Sequence, residues 1–342
     1  GNTYMNKKIL FAAVGAALAV APMISAQADV KIGGTAHVSL DSLDQGIATD
    51  TGSLFVASNS SNFNMSASED LGGGMKALFF FETLLTQDAG GVGGGRNTYV
   101  GLNGGFGTVK LGYFDDAMKK VGRSVDLFYN EQLGESRAIV AQGSWDARMT
   151  NTIGYESNAT GGLSFQVQYG VEDVYTNDNK TLALGVSYKA GPLYLAAAHK
   201  SIGYTAPLVD GSAIRVVGSY DMGAIKFTGF YQQVSDNGGT TGADRTTLGF
   251  GAAFKSGNNT FKAQWYQADA ADNAATANGG DQLSFGIDHN LSKTTIVYAT
   301  YAKSSNDAAG IFGIGGNGHG ATATPAAGQD ASGISLGMRM VF

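Results

Sequence analysis

From Asp29 to Phe342 the chain alternates apolar and polar residues with a period of two, in runs of about ten residues separated by turns. This pattern limits the fold more than any other feature, because a period of two puts successive side chains on opposite faces of a strand. Thr260–Asp269 sets Phe261, Ala263 and Trp265 against Lys262, Gln264 and Tyr266. Ala224–Val234 sets Ile225, Phe227 and Tyr231 against Lys226, Thr228 and Gln232. Sixteen such runs can be marked, the first Val30–Asp41 and the last Ser332–Phe342, and the second lies within Ser53–Glu69. After the N-terminal stretch there is no apolar run of about 18 residues, so no spanning helix is expected.

Short turns (Gly191-Pro192, Ser256–Asn259, Leu291–Lys293) alternate with longer polar connections such as Thr86–Gly95 and Ser304–Ala331. An even strand number, a dyad pattern and unequal connections predict an all-β fold, a 16-stranded antiparallel transmembrane barrel over 29–342. Lipid offers no partner to a backbone amide, and a closed sheet leaves no unpaired edge. The apolar face would then meet hydrocarbon and the polar face enclose water, with Tyr169, Tyr188, Tyr220, Tyr231, Trp265 and Tyr301 suited to the interfacial girdles. A soluble sandwich or propeller has the same periodicity with the faces reversed. The last strand argues against it, with Ile334, Leu336, Met338, Met340 and Phe342 on one face and an aromatic terminus.

Composition agrees. Gly is 51 of 342 residues and charged residues only 15%, against about 25% in soluble domains. The net charge of -6 disfavours nucleic acid as a partner. The absence of Cys removes disulfides, thiolate metal sites and Cys nucleophiles. Residues 1–28 read as a leader. Lys7 and Lys8 precede the apolar run Ile9–Ala21, and Ala26-Gln27-Ala28 has the small-x-small pattern of a cleavage site. Gly1–Tyr4 lie ahead of Met5 and are set aside.

Asp115–Thr150 is the longest interval without clear alternation. It carries Asp115, Asp116, Asp126, Glu131 and Glu135 among Leu127, Phe128 and Tyr129. A loop of this length in a compact protein is usually functional or disordered. Here it is expected to fold into the tube and narrow it.

Several stretches resemble the general diffusion porins of Gram-negative bacteria: Ser68–Phe79, Arg96–Leu102 followed by Gly105–Val109, Arg148–Tyr155, and Gly337–Phe342 as a terminal assembly signal. The resemblance implies a homotrimer in the outer membrane, with the third external loop inserted in the lumen. It implies lipid and lipopolysaccharide around the barrel, small hydrophilic solutes and ions passing through it, and recognition of the C-terminal strand by the barrel-assembly machinery. It also implies a basic wall facing acids on the inserted loop. By motif, Arg96 and Arg148 match two wall arginines. Asn62 and Tyr113 stand where others are usual, and Lys31 and Lys110 on polar faces could compensate. Asp126, Glu131 and Glu135 are the acidic candidates, ahead of Asp115 and Asp116. Opposed charges across a narrow aqueous gap order polar solutes and penalise apolar ones.

Other motifs fail on context. Gly313–Gly318 has Gly-x-Gly-x-x-Gly spacing without a βαβ unit. Gly333–Gly337 has nucleophile-elbow spacing inside a strand. His37, His199, His289 and His319 are scattered, so no metal or other cofactor is expected. A barrel hydrolase and a secreted β-rich adhesin remain the alternatives to a passive pore.

Overall fold

The computed structural model describes residues 28–47, 52–129, 132–141, 144–171, 180–316 and 318–342. Residues 1–27, most of the expected leader, and the candidate Glu131 lie outside them. The wall runs through β1 (Asp29–Asp44), β2 (Ser53–Ser58), β3 (Asn62–Gly72), β4 (Met75–Thr86), β5 (Gly91–Gly104), β6 (Gly107–Asp115), β7 (Arg148–Glu156), β8 (Leu163–Gly170) and β9 (Thr181–Ala190). It continues through β10 (Leu193–Ile202), β11 (Gly211–Asp221), β12 (Ile225–Ser235), β13 (Arg245–Ser256), β14 (Asn259–Ala268), β15 (Gly280–Asn290), β16 (Thr295–Asn306) and β17 (Ala331–Val341). Each strand pairs antiparallel with its neighbours, and β1 pairs with β17 from Thr35↔Val341 to Asp44↔Ser332, which closes the sheet.

The second run breaks at Asn59–Ser61. β2 pairs with the upper part of β1 and β3 with its lower part, so the two are halves of one wall strand. Among the described residues the fold is therefore a closed 16-stranded antiparallel barrel. Thr86–Gly95 is not all loop as expected, since Thr83 pairs with Gly95 and Thr86 with Gly91 in an extended hairpin.

The faces follow the alternation. Phe227, Phe250, Phe261, Phe285, Leu336 and Met338 are exposed on the outer face, while Thr228, Gln264, Ser284 and Ser335 are buried inside. β7 departs from it. Met149 is buried within the barrel, whereas Ile153 and Tyr155, at the same parity along the strand, are only partly buried. The register shifts opposite Gly112 and Phe114, and Asn151 is left-handed with φ 46°. A bulge of this kind exchanges the faces beyond it.

The 116–147 segment is not irregular throughout. It holds a helix α1 (Ala117–Arg123) and a single helical turn α2 (Arg137–Val140). Asp116 caps α1, its carboxylate accepting from the Lys119 N–H at 2.8 Å. Seven residues make a marginal helix alone, and packing supplies the rest. Ala117, Met118 and Val121 bury against Ala183, Ala196, Ala198, Ala213 and Val217 on the inner faces of β9, β10 and β11. Small wall residues leave room for the helix, and burying Met118 and Val121 stabilises it by about 1.5–3 kcal/mol each.

Candidate functional site

The site is the inner face of the barrel with the 116–147 segment against it. The wall holds the segment through a row of polar side chains. The Gln168 carboxamide accepts from the Ala117 N–H at 2.7 Å. Lys200 donates to Asp116 and to the Ser144 carbonyl, both at 2.6 Å. Arg215 donates to Asp146 at 2.9 Å and to the Met118 carbonyl at 2.7 Å. Gln264 and Ser284 both donate to the Gly134 carbonyl, and Gln282 donates to that of Glu135. Arg137 reaches the other oxygen of Asp146 at 2.7 Å. Burial works against the Asp146 carboxylate, but Arg215 and Arg137 outweigh it and hold its pKa below the usual range. Cations of β10 and β11 thus pair with acids of the segment, as Lys200–Asp116 and Arg215–Asp146. These pairs are buried and fix the segment in place.

On the opposite side, toward β1, β3 and β5, a cavity of about 220 Å³ remains. Arg96, Arg123 and Arg339 line it with Glu82, Asp115 and His37. Arg96 donates to Glu82 at 2.7 Å. Arg123 lies over the Tyr129 ring, 5.0 Å from its centroid. Asp115 is shared by Lys119 at 2.6 Å and Arg148 at 3.3 Å. Burial pushes the Lys119 ammonium down to about 8; Asp115 opposes that shift, and Arg123, Arg148 and Arg137 add to it.

The expected residues divide as follows. Arg96 lines the cavity, and Arg148 adjoins it through Asp115 and through Asn97, to which it donates at 3.1 Å. Lys110 lies on β6 away from the cavity, bonded to Glu156 at 2.9 Å and set over the Tyr99 ring. Lys31 does not join them. Its side chain is 73% exposed at the open end of β1, 3.6 Å from Asp29. Among the described residues Asp126 makes no ion pair with a wall arginine. Its carboxylate accepts from Phe128 N, Ser136 N and Ser136 Oγ, which ties the segment's own turns together, and from Gln264 Nε2 of β14. Glu135 is buried, 3.9 Å from Arg137. Of the acidic candidates among the described residues, Asp115 and Asp116 hold the close cation contacts. Phe342 exchanges backbone hydrogen bonds with Gly34 at the seam.

Sequence reading missed Lys200, Arg215, Arg123 and Arg339. The alternation places Lys200, Arg215 and Arg339 on inner faces, but the period does not tell which inner positions lie at one depth. The last connection also folds inward. His319 Nε2 lies 2.8 Å from Asp41, Gly320 donates to Asn59, and Gly315 donates to the Leu133 carbonyl of the 116–147 segment.

The family model described as Gram-negative porin matches residues 12–309. Outer membrane porin protein 32 of Delftia acidovorans is 29% identical, over 99% of this chain and 100% of that protein. The major outer membrane protein P.IB of Neisseria gonorrhoeae is 26% identical, over 84% of this chain and 91% of its own. The solved anion-selective porin from Comamonas acidovorans is 26% identical with a TM-score of 0.81, covering 92% of this chain and 100% of that one. Closed barrel, lipid-suited outer face, charged interior and relatives agree: the chain belongs to the Gram-negative porin family and is an outer-membrane channel.

Proposed function

We propose that the 116–147 segment is the constriction of this channel and that its open side favours small hydrophilic anions. The arrangement of charge carries the reading. Among the described residues three guanidinium groups and two carboxylates line the cavity, so the field across it has a net positive sign. In a narrow passage with low-dielectric walls such a field raises the local concentration of counter-ions. The solved relative named as anion-selective supports the same sign.

Permeation of this kind needs no chemistry, only a gradient, and assigns Arg96 and Arg148 to the basic wall. Asp115 is the acid that tempers it. Lys110 and Lys31 lie at other points of the path. The homotrimer, the lipopolysaccharide contacts and the reading of the Phe342 strand by the assembly machinery belong to this proposal, on the strength of the family resemblance. So does the 1–28 leader.

Reconstitution in planar bilayers tests it. A potassium chloride gradient should give a reversal potential of the sign set by chloride. Potassium preference in the native protein would overturn the anionic reading and leave the channel itself intact.

A further inference from the structure

Arg339 differs from Arg96 and Arg148. Arg96 has Glu82 at 2.7 Å, and Arg148 has Asp115 at 3.3 Å. Arg339 has no carboxylate at ion-pair distance among the described residues, though it lines the same cavity and is only half-buried. Its place is fixed by the terminal strand. Met338 and Met340 point outward, 50% and 38% exposed, so Arg339 between them points in. In register it pairs with His37 of β1.

β1 runs between β17 and β3, and Thr35 pairs with Val341 on one side and with Asn62 on the other. Asn62, where the resemblance expects a wall arginine, therefore lies two strand spacings from β17, about 10 Å. Both side chains line the one cavity. Arg339 of the last strand and Asn62 of the second wall strand thus line one cavity from the two sides of β1, across the barrel seam.

We propose that Arg339 is the counter-ion-free cation of an anion-holding site in this cavity, taking small inorganic anions and carboxylates in transit, and that the terminal strand thereby sets the channel's charge preference. The inference rests on the porin reading. Arg96 and Arg148 already have carboxylates that cancel much of their field. Arg339 has none among the described residues, so a passing anion gains more beside it than beside either of them.

The test is the chloride-to-potassium permeability ratio of the full-length native protein and of Arg339→Gln in planar bilayers. One unscreened charge at this range changes the ratio about two- to threefold at 0.1 M salt, and the difference should shrink at 1 M, where the Debye length is about 3 Å. Arg339→Lys, which keeps the charge, should keep the native ratio. A native ratio in Arg339→Gln at 0.1 M overturns the inference while the porin reading stands. A native protein that opens no channel overturns both. If Arg339→Gln does not assemble, Thr35→Asp places a carboxylate in the same cavity one strand away, and an unchanged ratio there also overturns the inference.

Discussion

Arg215 on the wall and Asp146 on the inserted segment lie 2.9 Å apart, both side chains at most 1% exposed. The same guanidinium holds the Met118 carbonyl, and Arg137 holds the same carboxylate from within the segment. A buried pair of this kind adds little net stability over an apolar one, but removing one partner leaves an uncompensated charge. Its effect here is to specify one position for the segment.

Arg215→Ala should therefore loosen the segment and spare the wall. The loss is about 3–5 kcal/mol, confined to the segment, because the backbone ladder of β11 persists. Single-channel records should become noisier with more sub-states, while the heat-modifiable band on gels is retained. A quiet native-like record would show that this pair does not hold the segment.

Arg148→Ala leaves Asp115 with Lys119 as its close cation. The passage then carries one positive charge fewer. Reversal potentials should move toward cations by about twofold in permeability ratio at 0.1 M salt. No movement removes Arg148 from the constriction.

Lys119 gives the channel a pH response. Its ammonium titrates at about 8 rather than 10.5, so raising the pH from 7 to 9 discharges it and makes the segment more negative. Anion preference should fall over that interval. Lys119→Met should start from the lower value and stay flat. A native protein with the same ratio at pH 7 and pH 9 contradicts this.

The seam has little spare room. A Cβ on Gly337 would overlap the Tyr298 ring, and Tyr298 bonds His37 at 2.8 Å inside the barrel. Gly337→Val should displace the ring and break that bond, at a cost of about 1–3 kcal/mol. The temperature at which the folded band disappears on gels should drop by several degrees. An unchanged midpoint would mean that the ring moves freely.

The wall was legible because each strand face has a fixed solvent. Phe261 and Lys262 alternate as lipid and lumen require, and the sequence shows it directly. Met149 was not legible, since a left-handed Asn151 reverses the alternation and no residue nearby announces it. Nor was the role of Asp126. An acid on a long loop reads as a field charge, and only coordinates reveal that Ser136 and Gln264 occupy its oxygens. Arg339 was in plain view on an inner face, but its depth depends on the pairing of the last strand with the first.

That pairing has its own consequence. Gly34 and Phe342 exchange both backbone hydrogen bonds, at 2.9 and 3.1 Å. The cylinder is thus sealed by the first and last described strands, and an unclosed sheet has two raw borders that hydrocarbon cannot satisfy. Such long-range contacts form late and slowly. A chain missing its final strand is therefore not a smaller pore but an unfinished sheet.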